Sequence, residues 1–132
     1  MSQFAGYRAT QAYRAASMTV SPLGAVVMLL DGAIRNVEKL VAATEAKRFE
    51  EGHNHLMKAT QILRALSQNL NFDKAERLSE QLSRTYNALI LACHCSFGRA
   101  DGASRYGRII ASLAELRDAW ATVRAAAPAP RK

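Results

Sequence analysis

Three prolines and seven glycines are few for 132 residues. A chain so poor in chain-breaking residues has little material for the many tight turns of a sandwich or barrel. No stretch sustains apolar/polar alternation with Val, Ile and Thr enrichment, so strands find no support either. Only two cysteines are present, Cys93 and Cys95. With one residue between them they cannot staple distant segments, which suits a reducing compartment. Aromatic residues make up 7% of the chain, with a single tryptophan, so there are few rings on which bases could stack. No apolar run approaches the roughly 20 residues of a membrane helix. The opening MSQFAGYRATQAYR is polar, with no apolar run behind its arginines, and does not read as a secretory signal. A cytoplasmic protein is expected.

Chemical motifs are scarce as well. The chain has no glycine-rich phosphate loop, no Glu-x-x-His pair on facing helices and no nucleophile motif. Cys93-His94-Cys95, with His53 and His55 elsewhere, is the one cluster that suggests a metal. Consecutive helical residues point about 100 degrees apart and cannot all face one ion, so the trio reads as a buried cysteine beside an exposed histidine. Asp31 and Asp118 lie inside apolar helices and are expected to pair with a nearby arginine or amide. Neither an enzymatic activity nor a cofactor or metal is expected.

What is present is a large share of apolar residues, 49% of the chain, and a formal charge of +7 from 18 basic and 11 acidic side chains. The length suits one domain with one core. The basic residues are scattered, whereas electrostatic recognition of nucleic acid needs a concentrated patch. Specific nucleic-acid binding is therefore not expected, and a basic surface suits an acidic partner.

The apolar residues fall at helical spacing. Ser21 is a good N-cap and Pro22 fits the first helical position. From there Leu23, Val26, Val27, Leu30, Ile34, Val37 and Val41 line one face, which Met28, Leu29, Ala33 and Leu40 widen. This helix is expected to run to about Lys47, with a turn between Arg48 and Asn54. Gly32 in its middle suggests close approach of another segment. Leu56, Ala59, Leu63, Leu66 and Leu70 form the seam of a second helix, with Ile62 beside it. Asp73 with Glu76 resembles a capping box for a third, carrying Ala75, Leu78, Leu82, Tyr86, Leu89 and Cys93 and ending near Phe97-Gly98. Asp101 is expected to cap a fourth, with Tyr106, Ile109, Leu113, Leu116, Trp120 and Val123.

The expected fold is all-α: an antiparallel up-down four-helix bundle over residues 17–124, with a short N-terminal arm over 1–16 and a flexible tail over 125–132. Leu63, Leu89 and Leu116 lie on the core seams. Met28, Leu29, Ile34, Ile62 and Tyr86 sit beside the narrow seams and are candidates for holding a partner. Phe4, Tyr7 and Tyr13 are too apolar for an arm with nothing to cover. Tyr7 and Tyr13 join the candidate site, the arm serving as its cap.

Three blocks carry a resemblance. Ser21-Pro22, five residues, then Met28-Leu29-Leu30-Asp31-Gly32-Ala33-Ile34 resembles the S-P-x5-M-L-Y-D-G-A-I of the flagellin-specific export chaperones of the FliS family. Lys58-Ala59 followed by Ile62, Leu66, Leu70 and Asn71 resembles the family's second helix, and Arg117-Asp118-Ala119-Trp120 the R-D-A-W of its last. Leu30 stands where the family usually has tyrosine, and a basic pair is missing near Ala92 and Cys93. The resemblance implies a cytoplasmic chaperone that binds the disordered C-terminal segment of flagellin, prevents premature polymerisation and delivers it to a component of the type III export gate. It also implies that the tyrosine-bearing arm caps the groove and takes part in gate recognition. The alternatives left open are a related secretion chaperone for another flagellar subunit and a basic helical nucleic-acid-binding protein.

Overall fold

The computed structural model describes residues 22–70 and 76–126. They form α1 (Pro22–Glu45), α2 (Phe49–Gln68), α3 (Glu76–Ser96) and α4 (Gly102–Ala126). α1 packs against α2 and α4, and α3 against α2 and α4, while neither diagonal pair is in close backbone contact. Side-chain pairings give the directions. A β-carbon on Gly32 would meet Ile62, one on Gly52 would meet Leu40 and Thr44, Arg117 binds Asp31, and Tyr106 binds the carbonyl of Cys93. Each helix thus runs against its neighbours, and the expected up-down four-helix bundle is what is observed. The arm, Ser21, the Asp73 cap and the tail from residue 127 lie outside the described residues. α4 itself continues two residues past Arg124.

The core sits nearer the end of the bundle that carries the α1–α2 and α3–α4 turns. Val37, Leu40, Leu56, Ala59, Cys93, Tyr106 and Leu113 are all at most 2% exposed there, and Leu30, Leu63 and Tyr86, equally buried, continue the core toward the middle of the bundle. Leu63 and Leu89 are buried as expected, whereas Leu116 is only partly covered. Tyr106 keeps its phenol satisfied by donating to the Cys93 carbonyl at 2.8 Å, which burial of a hydroxyl requires. Burial raises the Tyr106 pKa above its ordinary value, with Cys93 adding to the effect. No described helix is long and apolar enough to cross a membrane.

The first turn is shorter than expected. α1 stops at Glu45 and α2 begins at Phe49, so most of the segment from Arg48 to Asn54 is already helix. Lys47 adopts a left-handed φ of 61°. The Arg48 N–H then reaches back to the Ala43 carbonyl at 2.8 Å and the Lys47 N–H to Thr44 at 3.0 Å. This is the double closure that usually employs glycine. A lysine there gives no warning of a helix end, which is why the pattern reads about two residues too long. At the end of α3 the expected signal holds, since Gly98 takes φ 78°.

Close approach also falls elsewhere than expected. A β-carbon on Gly32 would lie 3.5 Å from Ile62 Cδ1, an ordinary contact, whereas one on Gly52 would lie 2.9 Å from Thr44 Cγ2 and 3.4 Å from Leu40 Cδ1. It is Gly52 that lets α2 cross α1. The hydroxyl of Thr44 donates to the Val41 carbonyl at 3.0 Å, so its side chain cannot turn aside freely. Gly32→Ala should therefore stabilise the bundle by up to about 1 kcal/mol through helix propensity and unfolded-state entropy. Gly52→Ala should destabilise it by about 1–3 kcal/mol. Urea unfolding of the two variants checks the contrast in sign.

Candidate functional site

α3 and α4 are the least closely packed neighbours in the bundle, and the reason lies in their facing stripes. On α3, Leu78, Leu82 and Leu89 recur at steps of four and seven; on α4, Ile109, Leu116, Trp120 and Val123 recur at steps of seven, four and three. Helical register turns both sets toward one another. Leu89 and Ile109 are buried. Toward the far end, Leu82, Leu116 and Trp120 are only partly buried, and Leu78 and Val123 stand 53% and 50% exposed. The first turns of α3 read ERLSEQLSRT, with two apolar residues in ten, too few to close against α4. Among the described residues the apolar stripes are therefore left partly uncovered between the start of α3 and the end of α4, the candidate groove. Its floor is closed by the Trp120 indole, which donates to the Tyr86 hydroxyl at 3.2 Å.

Arg117 fixes the α4 wall against α1. Its Nε donates to Asp31 Oδ1 at 2.9 Å, and its Nη1 lies 3.4 Å from Asp118 Oδ1. The hydrogen bond to Asp31 raises the Arg117 pKa further above its ordinary value. Both aspartates thus pair with an arginine, one of the two kinds of partner expected of them. The pair also joins the Met28–Ile34 block to the Arg117–Trp120 block, which are far apart in sequence.

The candidate residues do not assemble on one surface. Met28 is 53% exposed on the outer side of α1, beside the α1–α2 groove where Ile62 packs toward Gly32. Ile34 is partly buried on the flank of α1 that faces α4. Leu29 and Tyr86 are core residues at 8% and 1% exposure, so neither offers a free surface; Tyr86 contributes only by holding the Trp120 indole. Tyr7 and Tyr13 lie outside the described residues. Leu78, Leu82, Leu116, Trp120 and Val123 are groove residues that periodicity assigns to the core. The available signal was the polarity of the segment around Leu78 and Leu82.

The Cys93-His94-Cys95 trio divides as its helical spacing requires: Cys93 is buried, Cys95 exposed. Burial pushes the Cys93 thiol up to about 11, so it stays protonated and unreactive at neutral pH. Among the described residues, no three potential metal-ligating side chains lie together.

Two histidines give the bundle a pH dependence. Desolvation lowers the pKa of His55, with Lys58 and Lys39 adding to it. Desolvation also lowers that of His94, helped by Arg64 and His53. The unfolded chain then binds protons at a higher pH than the folded one. Stability should be full above the ordinary histidine pKa of about 6.5 and fall as the pH drops through and below it. The urea midpoint should be lower at about pH 5.5 than at about pH 7.5, and His55→Gln with His94→Gln should flatten the difference.

The chain matches the sequence model of the family described as flagellar protein FliS over residues 5–127. No curated protein matches the chain significantly.

Proposed function

The chain belongs to the FliS family of flagellar proteins, and from that premise we propose that it is a cytoplasmic flagellar export chaperone. Its client is the disordered C-terminal segment of flagellin, which it keeps from premature polymerisation and presents to the export gate. The observation that carries this reading is the open α3–α4 groove, with Leu78 and Val123 on its rim and Trp120 over its floor. A groove of this kind accepts the apolar face of an amphipathic segment, read at helical spacing. A disordered client gives up chain entropy on binding, so its retention depends on broad apolar burial and not on a few polar contacts.

The arm over residues 1–16 competes with the client for this groove. The arm precedes α1, which begins at the end of the bundle where the groove lies. An intramolecular competitor lowers the apparent client affinity by the fraction of molecules it closes.

Titration with flagellin, with and without its C-terminal region, tests the reading. Binding should be lost when that region is removed, and a chain lacking Met1 to Arg14 should bind more tightly than the full chain. Binding that survives the flagellin truncation, or is absent with flagellin but present with another flagellar subunit, would redirect the proposal to a different client. Weaker binding by the shortened chain would make the arm a client contact.

A further inference from the structure

Across the bundle from the α3–α4 groove, α1 and α2 flank a cleft of about 430 Å3 lined by Lys39, Ala42, Ala43, Arg48, Glu51 and His55. Its charges are unbalanced. Glu51 is engaged by Arg48 at 3.4 Å, while Lys39 on the lining and Lys58, about one turn beyond His55 on α2 and outside the lining, have no ion-pair partner among the described residues. His55 Nδ1 lies 3.1 Å from Asn36 Oδ1. That oxygen can only accept, so Nδ1 carries the hydrogen and Nε2 keeps a lone pair in the neutral ring. We propose that this cleft is a second interaction surface, receiving a carboxylate side chain of an acidic helical segment from a protein partner, with Lys39, Lys58 and His55 as the recognising groups.

The shape and charge of the surroundings narrow the occupant. Ala42 and Ala43 make a shallow floor that admits a side chain between the helices. Met28, exposed on the same side of α1, lies about 16 Å from Lys39 along the helix axis. It offers an apolar contact about three turns from the cationic one, so a segment with that spacing of an apolar residue and a carboxylate fits both. A nucleic-acid backbone fits poorly, because Glu51 on the wall and Glu38 beside Lys39 interrupt any continuous basic track.

Protonation is coupled to occupancy. The groups that face His55 are Asn36 and Lys39 from α1 and Glu51 and Lys58 from α2. Without a partner, burial and then the two lysines disfavour the imidazolium. An arriving carboxylate offsets them and accepts a hydrogen bond from Nε2–H once the ring is protonated, so binding draws a proton onto His55. Because α1–α2 and α3–α4 are opposite sides of the bundle, such a partner and a client in the groove can be held together.

The test is an NMR titration of the full chain with a decaglutamate peptide. The peptide should shift the signals of Lys39, Lys58 and His55 and raise the pH midpoint of the His55 ring. Lys39→Glu with Lys58→Glu should weaken binding by about tenfold or more, while Arg77→Glu with Arg84→Glu on the exposed face of α3 should weaken it by less than about threefold. If the first pair disturbs the helical signal, Lys39→Gln with Lys58→Gln takes its place. Equal weakening by both pairs would reduce the effect to net charge and overturn the proposal. The same holds if inorganic phosphate at matched ionic strength moves these signals as strongly, or if the peptide shifts Leu78 and Val123 instead.

Discussion

Leu63→Ala should lower the unfolding free energy by about 2–5 kcal/mol, because Leu63 is fully enclosed and deletion leaves a cavity that neighbouring helices cannot collapse. It is 0% exposed, in one apolar cluster with Leu30, Ala59 and Tyr86. For a domain whose whole stability is about 5–15 kcal/mol, a loss of that size is large. Leu116→Ala removes the same atoms and should cost less than about 2 kcal/mol, since part of that side chain is already wet and no sealed void remains. Urea unfolding of the two variants, compared at constant slope, measures the difference. Equal losses would mean that the α3–α4 groove is closed in solution.

Client binding should fall by about tenfold or more when Leu78 and Val123 are both replaced by aspartate, with little change in stability. Each is half exposed on the groove rim, so the new charges remain hydrated and no core contact is lost. In the complex the same carboxylates would be trapped against an apolar client face, and burying a charge without a partner is costly. Leu78 lies in the first turn of α3, where a negative charge favours the helix, and the opposite effect at the end of α4 is a few tenths of a kcal/mol. Isothermal titration with the flagellin C-terminal segment, paired with thermal unfolding, reads both quantities. Met28→Asp is the comparison variant, because Met28 is equally exposed on another face. Binding that withstands the groove changes but fails with Met28→Asp would move the client to the α1–α2 side.

The helices were legible because their burial pattern repeats at helical steps. Leu56, Ala59, Leu63 and Leu66 define the inward face of α2 from sequence alone, and all four are buried. The α1 terminus was not legible, because the left-handed position went to Lys47 instead of a glycine. Gly52 was misread for a related reason. Glycine in a charged stretch resembles a turn, and only the approach of Thr44 to 2.9 Å and Leu40 to 3.4 Å of where a β-carbon would sit makes it a crossing point.

The candidate site was harder to read than the fold. Periodicity identifies which residues share a face of one helix, but not how closely the opposing helix approaches it. Leu29 and Met28 are adjacent and similarly apolar, yet one is core and the other exposed, a difference of about 100 degrees around α1 that matters only once α2 and α4 are positioned. In the same way Leu82 and Leu89 belong to one stripe of α3, but only Leu89 is closed over.

From the sequence by itself came the all-helical class, the number and order of helices, the expectation of an arginine or amide partner for Asp31 and Asp118 and the family resemblance, because these depend on local spacing, residue chemistry and motif identity. Tertiary structure alone decided the Asp31–Arg117 tie between distant motifs, the open groove between α3 and α4 and the basic cleft between α1 and α2. Each depends on the separation of two helices, which is set by the packing of all four around one core and is encoded in no single segment.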